Sequence, residues 1–174
     1  MDLENQLAAR LQASGAQFRV VGIDKIARLK AVVAANQQAQ AGSTAYNRYA
    51  DTSYDFAVVD NPAIRSVFIT ATPSPIYVLR LADGRALRIP PIYGNRAKVV
   101  AASQALTQAV FEPAGYRTWP VFLPKKLTAA HCGLASYGNN GLTYIKGWGS
   151  YFRLTMFASD YAAESEAPWQ SPEL

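Results

Sequence analysis

Residues 66–89 read SVFITATPSPIYVLRLADGRALRI, and this stretch decides the fold class. Ser66 to Thr72 is a run of β-branched and aromatic residues closed by Pro73 and Pro75, the composition of a strand. Ile76 to Ala82 and Arg85 to Ile89 are two further β-prone runs on either side of Asp83-Gly84. That pair predicts a tight hairpin, whose turn needs positive φ at both central residues. Pro90-Pro91 cannot continue the ladder and ends it. Three strand segments in succession put a sheet at the centre of the molecule.

Helical signals surround it. Leu3, Leu7 and Leu11 predict a short amphipathic helix, with Gly15 as its left-handed cap. Phe18 to Ile23 (FRVVGI) is a strand, after which Asp24 is expected to cap a second helix with the apolar face Ile26, Leu29 and Val33. Residues 36–55 (NQQAQAGSTAYNRYADTSYD) are polar and read as a long surface excursion of the kind that often carries function. Val99, Ser103, Leu106 and Val110 mark a third helix, terminated by Pro113. Gly115 to Leu123 is a strand weakened by Pro120. Pro124 opens a helix running to about Cys132, with Gly133 at its end. Leu142–Lys146 and Tyr151–Ala158 are two more strand-like runs, and the acidic remainder has no periodicity. Such interleaving predicts an α/β or α+β single domain, one sheet covered by helices.

Composition narrows the functional classes. The 174 residues are 50% hydrophobic and 17% charged, which excludes disorder and supplies one core. No run approaches the ~20 apolar residues that cross a bilayer. The start, MDLENQLAARLQ, has no secretory pattern. The lone Cys132 excludes an internal disulfide and suits a reducing compartment, so the expected location is the cytoplasm. A net charge of +5 admits an anionic partner, but only Lys125 and Lys126 are adjacent, as on a solvated basic surface.

The chemistry-bearing residues are few. His131 and Cys132 are helical neighbours pointing about 100° apart, so they do not form a nucleophile–base pair. One histidine and one cysteine exclude a metal site built on imidazoles or thiolates. Cys132 reads as a small buried helix residue. The richest segment is 133–150, GLASYGNNGLTYIKGWGS, with glycines at 133, 138, 141, 147 and 149. It lacks the Gly-Lys-Ser/Thr ending of a P-loop and the dinucleotide fingerprint. Two readings stay open: turns joining helix to strand and strand to strand, or a loop whose bare backbone approaches a ligand. The carboxylates are scattered, and spacing alone declares no reaction.

A resemblance carries the reading further. LPKKLTAAHCGLASYGNNGLTYIKGWGSYFRLTMFASD, residues 123–160, is similar to a segment of epoxyqueuosine-reductase-like and reductive-dehalogenase-like proteins. Leu123, Pro124, Lys126, Ala129, Gly133, Leu134, Tyr137, Gly138, Asn140, Tyr144, Gly147, Gly149, Ser150, Leu154 and Asp160 fall on its pattern. Upstream, Tyr46-x-Arg48-Tyr49, the strand at Ser66–Thr72, the Asp83-Gly84 hairpin with Ile89-Pro90-Pro91-x-Tyr93, and Pro113-x-Gly115-Tyr116 follow in order.

The resemblance implies a mixed sheet flanked by helices, a cobalamin-binding domain over residues 1–160. Residues 161–174 would form a linker towards a ferredoxin-like part holding two four-iron clusters. It implies a cobalamin-binding portion of an oxidoreductase, inactive alone and binding cobalamin weakly or not at all by itself. Gly133, Leu134, Tyr137, Gly138, Asn139, Asn140, Gly141, Gly149 and Ser150 would lie against the cofactor. The substrate would be a small molecule or a modified nucleoside, with electrons arriving through the downstream clusters; one cysteine cannot ligate such a cluster here. The acidic proton donor that epoxyqueuosine reductases carry before this helix has no counterpart in Pro120–Lys126, so no catalytic residue is assigned. A cobalamin or anionic-ligand binding module without chemistry, and a basic nucleic-acid (tRNA) binding domain, are the competing readings.

Overall fold

The computed structural model describes residues 2–39, 43–74, 76–89 and 96–170; Pro75, Pro90, Pro91 and Tyr93 of the sequence reading, and the side chain of Tyr46, lie outside them. Helix α1 spans Leu3–Ala13 and buries Leu7 and Leu11. The Asp2 side chain accepts from the Glu4 N–H at 3.0 Å. Gly15, at φ +70°, turns the chain into β1, Gln17–Gly22. Helix α2, Ile23–Gln38, follows β1 directly, so the cap is Gly22 and not Asp24. Asp24 instead sits in the first turn, where its charge meets the positive helix end. Ile26, Leu29 and Val33 are the buried face, as their spacing requires.

The polar stretch 36–55 is mostly helix. Helix α2 runs on to Gln38, and α3 occupies Thr44–Ser53. Gln37 joins the two by donating to the Asp51 carboxylate at 2.9 Å. Among the described side chains of α3, Ala50 is the fully buried one. A short helix α4, Ala57–Asp60, leads to the sheet.

Strand β2, Ser66–Pro73, is central, and the sheet continues with β5, Thr118–Pro120, and β8, Phe152–Ser159. The order is β1-β2-β8-β5. Every pairing in this sheet is antiparallel among the described residues, where mixed pairing was expected. The fold class is the expected one: a single sheet flanked by helices. Both faces of β2 are buried. Val67, Ile69 and Ala71 face a core shared with Ile26 of α2 and with Ala129 and Cys132. Phe68 faces the opposite core, with Leu7, Leu11, Phe111 and Tyr161. Two-sided burial explains why SVFITA carries apolar residues on both faces rather than a strict alternation, with its polar Ser66 and Thr70 hydrogen-bonded.

The hairpin consists of β3, Tyr77–Arg80, and β4, Ala86–Ile89. Its connection differs from the expected two-residue turn. Leu81 N–H donates to the Arg85 carbonyl and Gly84 N–H to the Leu81 carbonyl. Positive φ falls on Gly84 alone, at +85°, so the turn has the three-residue form in which a left-handed glycine follows a type I bend. Helix α5, Arg96–Phe111, ends in a 3₁₀ turn containing Pro113, Glu112–Ala114. The run 115–123 keeps only three strand residues because Pro120 has no N–H to extend the edge. Helix α6, Lys125–His131, has Pro124 as its cap.

Residues 161–170 pack along this body. The buried Glu4 carboxylate accepts from Glu164 N–H at 2.9 Å, and Ala167 N–H donates to the Val20 carbonyl at 2.9 Å. Lys25 pairs with Glu166. Trp169 stacks on His131 with centroids 4.7 Å apart.

Candidate functional site

The glycine-rich segment leaves α6 through Cys132 and Gly133, whose φ of +67° ends the helix. Strand β6, Ser136–Tyr137, then pairs with β7, Thr143–Tyr144. Gly138 N–H donates to the Leu142 carbonyl and Gly141 N–H to the Gly138 carbonyl, closing a first turn. A second turn follows at once, with Ile145 and Gly149 exchanging backbone hydrogen bonds at 3.0 Å in both directions. The two turns bracket the two-residue strand β7. Lys126 of α6 ties the first turn down by donating to the Gly141 carbonyl at 3.2 Å.

Each of the sequence-named residues has a definite place. Gly133, Asn139, Asn140, Gly141 and Gly149 are exposed, Tyr137, Gly138 and Ser150 half-buried. Leu134 is in the core, so it holds the segment down rather than facing outward. The side chain of Asn140 is committed within its own turn. Its Nδ2 donates to the Tyr144 hydroxyl at 2.9 Å, and its Oδ1 accepts from Leu142 N–H at 3.1 Å. Gly138 is crowded, since a Cβ there would stand 2.6 Å from Tyr144 Cε2. Gly133, Gly141, Gly147 and Gly149 have φ between +63° and +84°, and a Cβ on any of them would meet nothing within 4 Å. Their conformation alone requires glycine, and their outer faces are bare backbone.

Around these turns stand apolar side chains that periodicity did not mark. Leu142 is 43% exposed, Tyr144 37% and Tyr151 51%. Tyr151 follows the second turn and its carbonyl accepts from Ser74 N–H at 2.9 Å, which places the root of the β3–β4 hairpin beside Ser150. Lys126 was legible as part of a basic pair and as a position of the family pattern, but its tie to Gly141 was not, because that contact spans fifteen positions of the chain.

His131 and Cys132 are both buried. His131 Nδ1 lies 2.6 Å from the Gln170 carbonyl and so carries the proton of that bond. Burial pushes the Cys132 thiol up to about 11, leaving it neutral and unreactive at ordinary pH. No group of three His, Cys, Asp or Glu side chains among the described residues could hold a metal ion. No described helix is long and apolar enough to cross a membrane. A shallow groove of about 420 Å³ lies elsewhere, against α1 and β1 at Ala8, Gln12, Phe18 and Arg19.

The architecture thus defines an α+β domain with a doubly covered antiparallel sheet, carrying an open double glycine turn at the end of a buried helix. Solved structures of epoxyqueuosine reductase share this fold. The enzyme from Streptococcus thermophilus aligns over 100% of this chain with a TM-score of 0.69 at 14% identity. A Bacillus subtilis structure, with a catalytic loop swung out of its active site, aligns over 97% at a TM-score of 0.70 and 15% identity. A complex of the reductase with an epoxyqueuosine-modified tRNA stem loop aligns over 97% at 0.67 and 14%. The chain spans about half the length of these proteins, 48–49%. No protein-family model matches it, and no curated protein matches it in sequence.

Proposed function

We propose that this chain is the cobalamin-binding portion of an iron–sulfur-dependent reductase resembling epoxyqueuosine reductase. The observation that carries the reading is the coincidence of fold with motif. A chain with that reductase fold also carries three of the matched glycines, Gly138, Gly147 and Gly149, on two successive turns, the last two with bare outer faces. The residues fit one wall of a site for a broad, amide-fringed ring. Bare backbone at Gly141 and Gly149 admits close approach, while Tyr137, Asn139 and Ser150 offer polar atoms beside it. When bound, cobalamin supplies a reducible cobalt centre. Leu134 and Asn140 act on the protein side only, the first as a core anchor and the second as the brace of the first turn. The clusters and the opposite wall would come from a further segment, in keeping with the half-length coverage of the solved structures.

The neighbour's RNA substrate is not carried over. Pro120–Lys126 brings no carboxylate to the start of α6, so the reduced substrate is defined only as a small molecule or modified nucleoside. The test is titration of the chain with cob(II)alamin, followed by visible spectra and by amide resonances. Saturable binding weaker than about 1 μM, or roughly −8 kcal/mol, is expected, with shifts confined to residues 133–151. Affinity at or tighter than about 1 μM would show the pocket complete in this chain and overturn the half-site reading, as would shifts centred outside residues 133–151.

A further inference from the structure

The β3–β4 hairpin forms a two-stranded sheet of its own, and its two faces differ. Among the described residues no helix or other strand shares an extensive interface with it. Cross-strand partners lie on one face, so the register separates a Leu79/Leu87 face from an Arg80/Ala86 and Val78/Arg88 face. Leu79 is 47% exposed and Leu87 48%. Two large aliphatic side chains paired directly and left half in water mark an interaction surface rather than a scattered surface leucine. The opposite face is basic. Arg80 and Arg88 have no carboxylate partner among the described residues, and the sole acidic residue of the hairpin, Asp83, is taken by Arg85 at 2.7 Å.

Position adds the third observation. Ser74, at the root of the hairpin, is hydrogen-bonded to Tyr151, next to Ser150 of the second glycine turn. Whatever docks on the hairpin therefore comes to the rim of the candidate cofactor face. We propose that the hairpin is the docking arm for a small acidic electron-carrier protein, an inference that rests on the reductase reading above. An acidic partner is called for by the uncompensated arginines, which would also repel a second copy of this basic chain. A protein is favoured over a nucleic acid because the Leu79/Leu87 face offers aliphatic area that phosphates cannot use. The small area of two four-residue strands suits the weak, short-lived complexes typical of electron carriers.

The experiment titrates the full chain with oxidised flavodoxin and, separately, with a plant-type [2Fe–2S] ferredoxin at low salt, using calorimetry. Micromolar binding to at least one is expected, weakening steeply with added salt. Arg80→Glu/Arg88→Glu and Leu79→Ser/Leu87→Ser should each weaken it about tenfold or more, and Arg80→Lys/Arg88→Lys should retain most of it. Because the hairpin stands off the core, all three double variants should melt with the parent. Their cob(II)alamin titrations should also match the parent, which separates failure of the docking arm from failure of the cofactor reading. The proposal is overturned if neither carrier binds or if the variants bind them as tightly as the parent. It is equally overturned if the hairpin instead mediates self-association in sedimentation, or binds an RNA stem loop that both carriers fail to displace.

Discussion

Residues 128–132 and 133–150 adjoin in sequence and are opposite in construction. Thr128, Ala129, Ala130, His131 and Cys132 are buried one after another, although a helix with a single covered side would bury only one stripe. Their helix is enclosed: the sheet covers one side through Ile69 and Met156, and residues 167–170 cover another through Trp169 and Gln170. The segment that follows returns backbone to water at four positive-φ glycines, while Leu134, Ala135, Thr143 and Ile145 are buried and Trp148 packs against the core. The lesson is that one region is specified by side chains filling space and the other by the absence of side chains. Substitutions should therefore register as lost stability in the first and as lost binding in the second.

The largest effect belongs to a position filled in the same way, in the core on the other face of the sheet from residues 128–132. Phe68 is fully buried, with its ring 4.8 Å from Phe111 and 6.2 Å from Tyr161. Phe68→Ala should cost about 3–5 kcal/mol in urea denaturation, from lost transfer energy and the cavity left behind. Tyr151→Ala, at an exposed position one residue past the open region, should stay within about 0.5 kcal/mol. Comparable losses for the two would remove the distinction between space-filling core positions and open surface ones.

Cys132 gives the next effect, and its sign follows from burial. The thiol pKa rises from 9.0 to about 11 because the folded protein desolvates the thiolate. With the folded value above the unfolded one, the neutral thiol's contribution is complete below pH 9. It is lost as pH rises from 9 towards 11, by about 2–3 kcal/mol in all. Stability curves of the parent and of Cys132→Ala should accordingly converge or cross above pH 9. Parallel curves would show that the thiol is not held neutral.

The fold was legible where one covered face imposes a period. The Leu3, Leu7, Leu11 spacing and the Ile26, Leu29, Val33 spacing survive intact in α1 and α2, and SVFITA is the central strand. Helix α3 was hidden because its sequence, TAYNRYADTS, is rich in residues that favour caps and turns, while burial of Ala50 leaves little pattern. Strand directions were hidden for another reason. Two-sided burial puts apolar residues on both faces of an antiparallel strand, as in a parallel one. At the candidate site the glycines were legible as turns, since positive φ demands them. The ties that fix those turns, Lys126 to Gly141 and Asn140 to Tyr144, depend on tertiary approach and leave no local signature.

The glycines themselves sharpen the comparison. Gly138→Val drives a side chain against Tyr144 within the same turn, so it should cost about 1–3 kcal/mol by overpacking and disturb the turn whether or not a ligand exists. Gly141→Ala meets no neighbour and suffers only from its left-handed backbone, about 1–2 kcal/mol. Thermal melts rank the two. If Gly141→Ala proved the more costly, the crowding at Gly138 would be relieved by rotation of the tyrosine.

The smallest expected change is the most informative about binding, and it lies in two adjacent asparagines. Asn140 braces the first turn with one bond to Tyr144 and one to Leu142, so Asn140→Ala should cost about 0.5–1.5 kcal/mol. The side chain of Asn139 is exposed and outside those bonds, and Asn139→Ala should leave stability within about 0.5 kcal/mol. The cofactor reading makes the opposite ranking for affinity. Asn139 is the amide that remains available to a ligand, so Asn139→Ala should weaken cob(II)alamin binding about fivefold, near 1 kcal/mol, with the melting temperature unchanged. Asn140→Ala should lower affinity only in proportion to the loosening of its turn, an effect that cooling reverses. If Asn139→Ala leaves both stability and affinity untouched, the first turn is a connection between β6 and β7, and the cofactor wall contracts to Gly149, Ser150 and their neighbours.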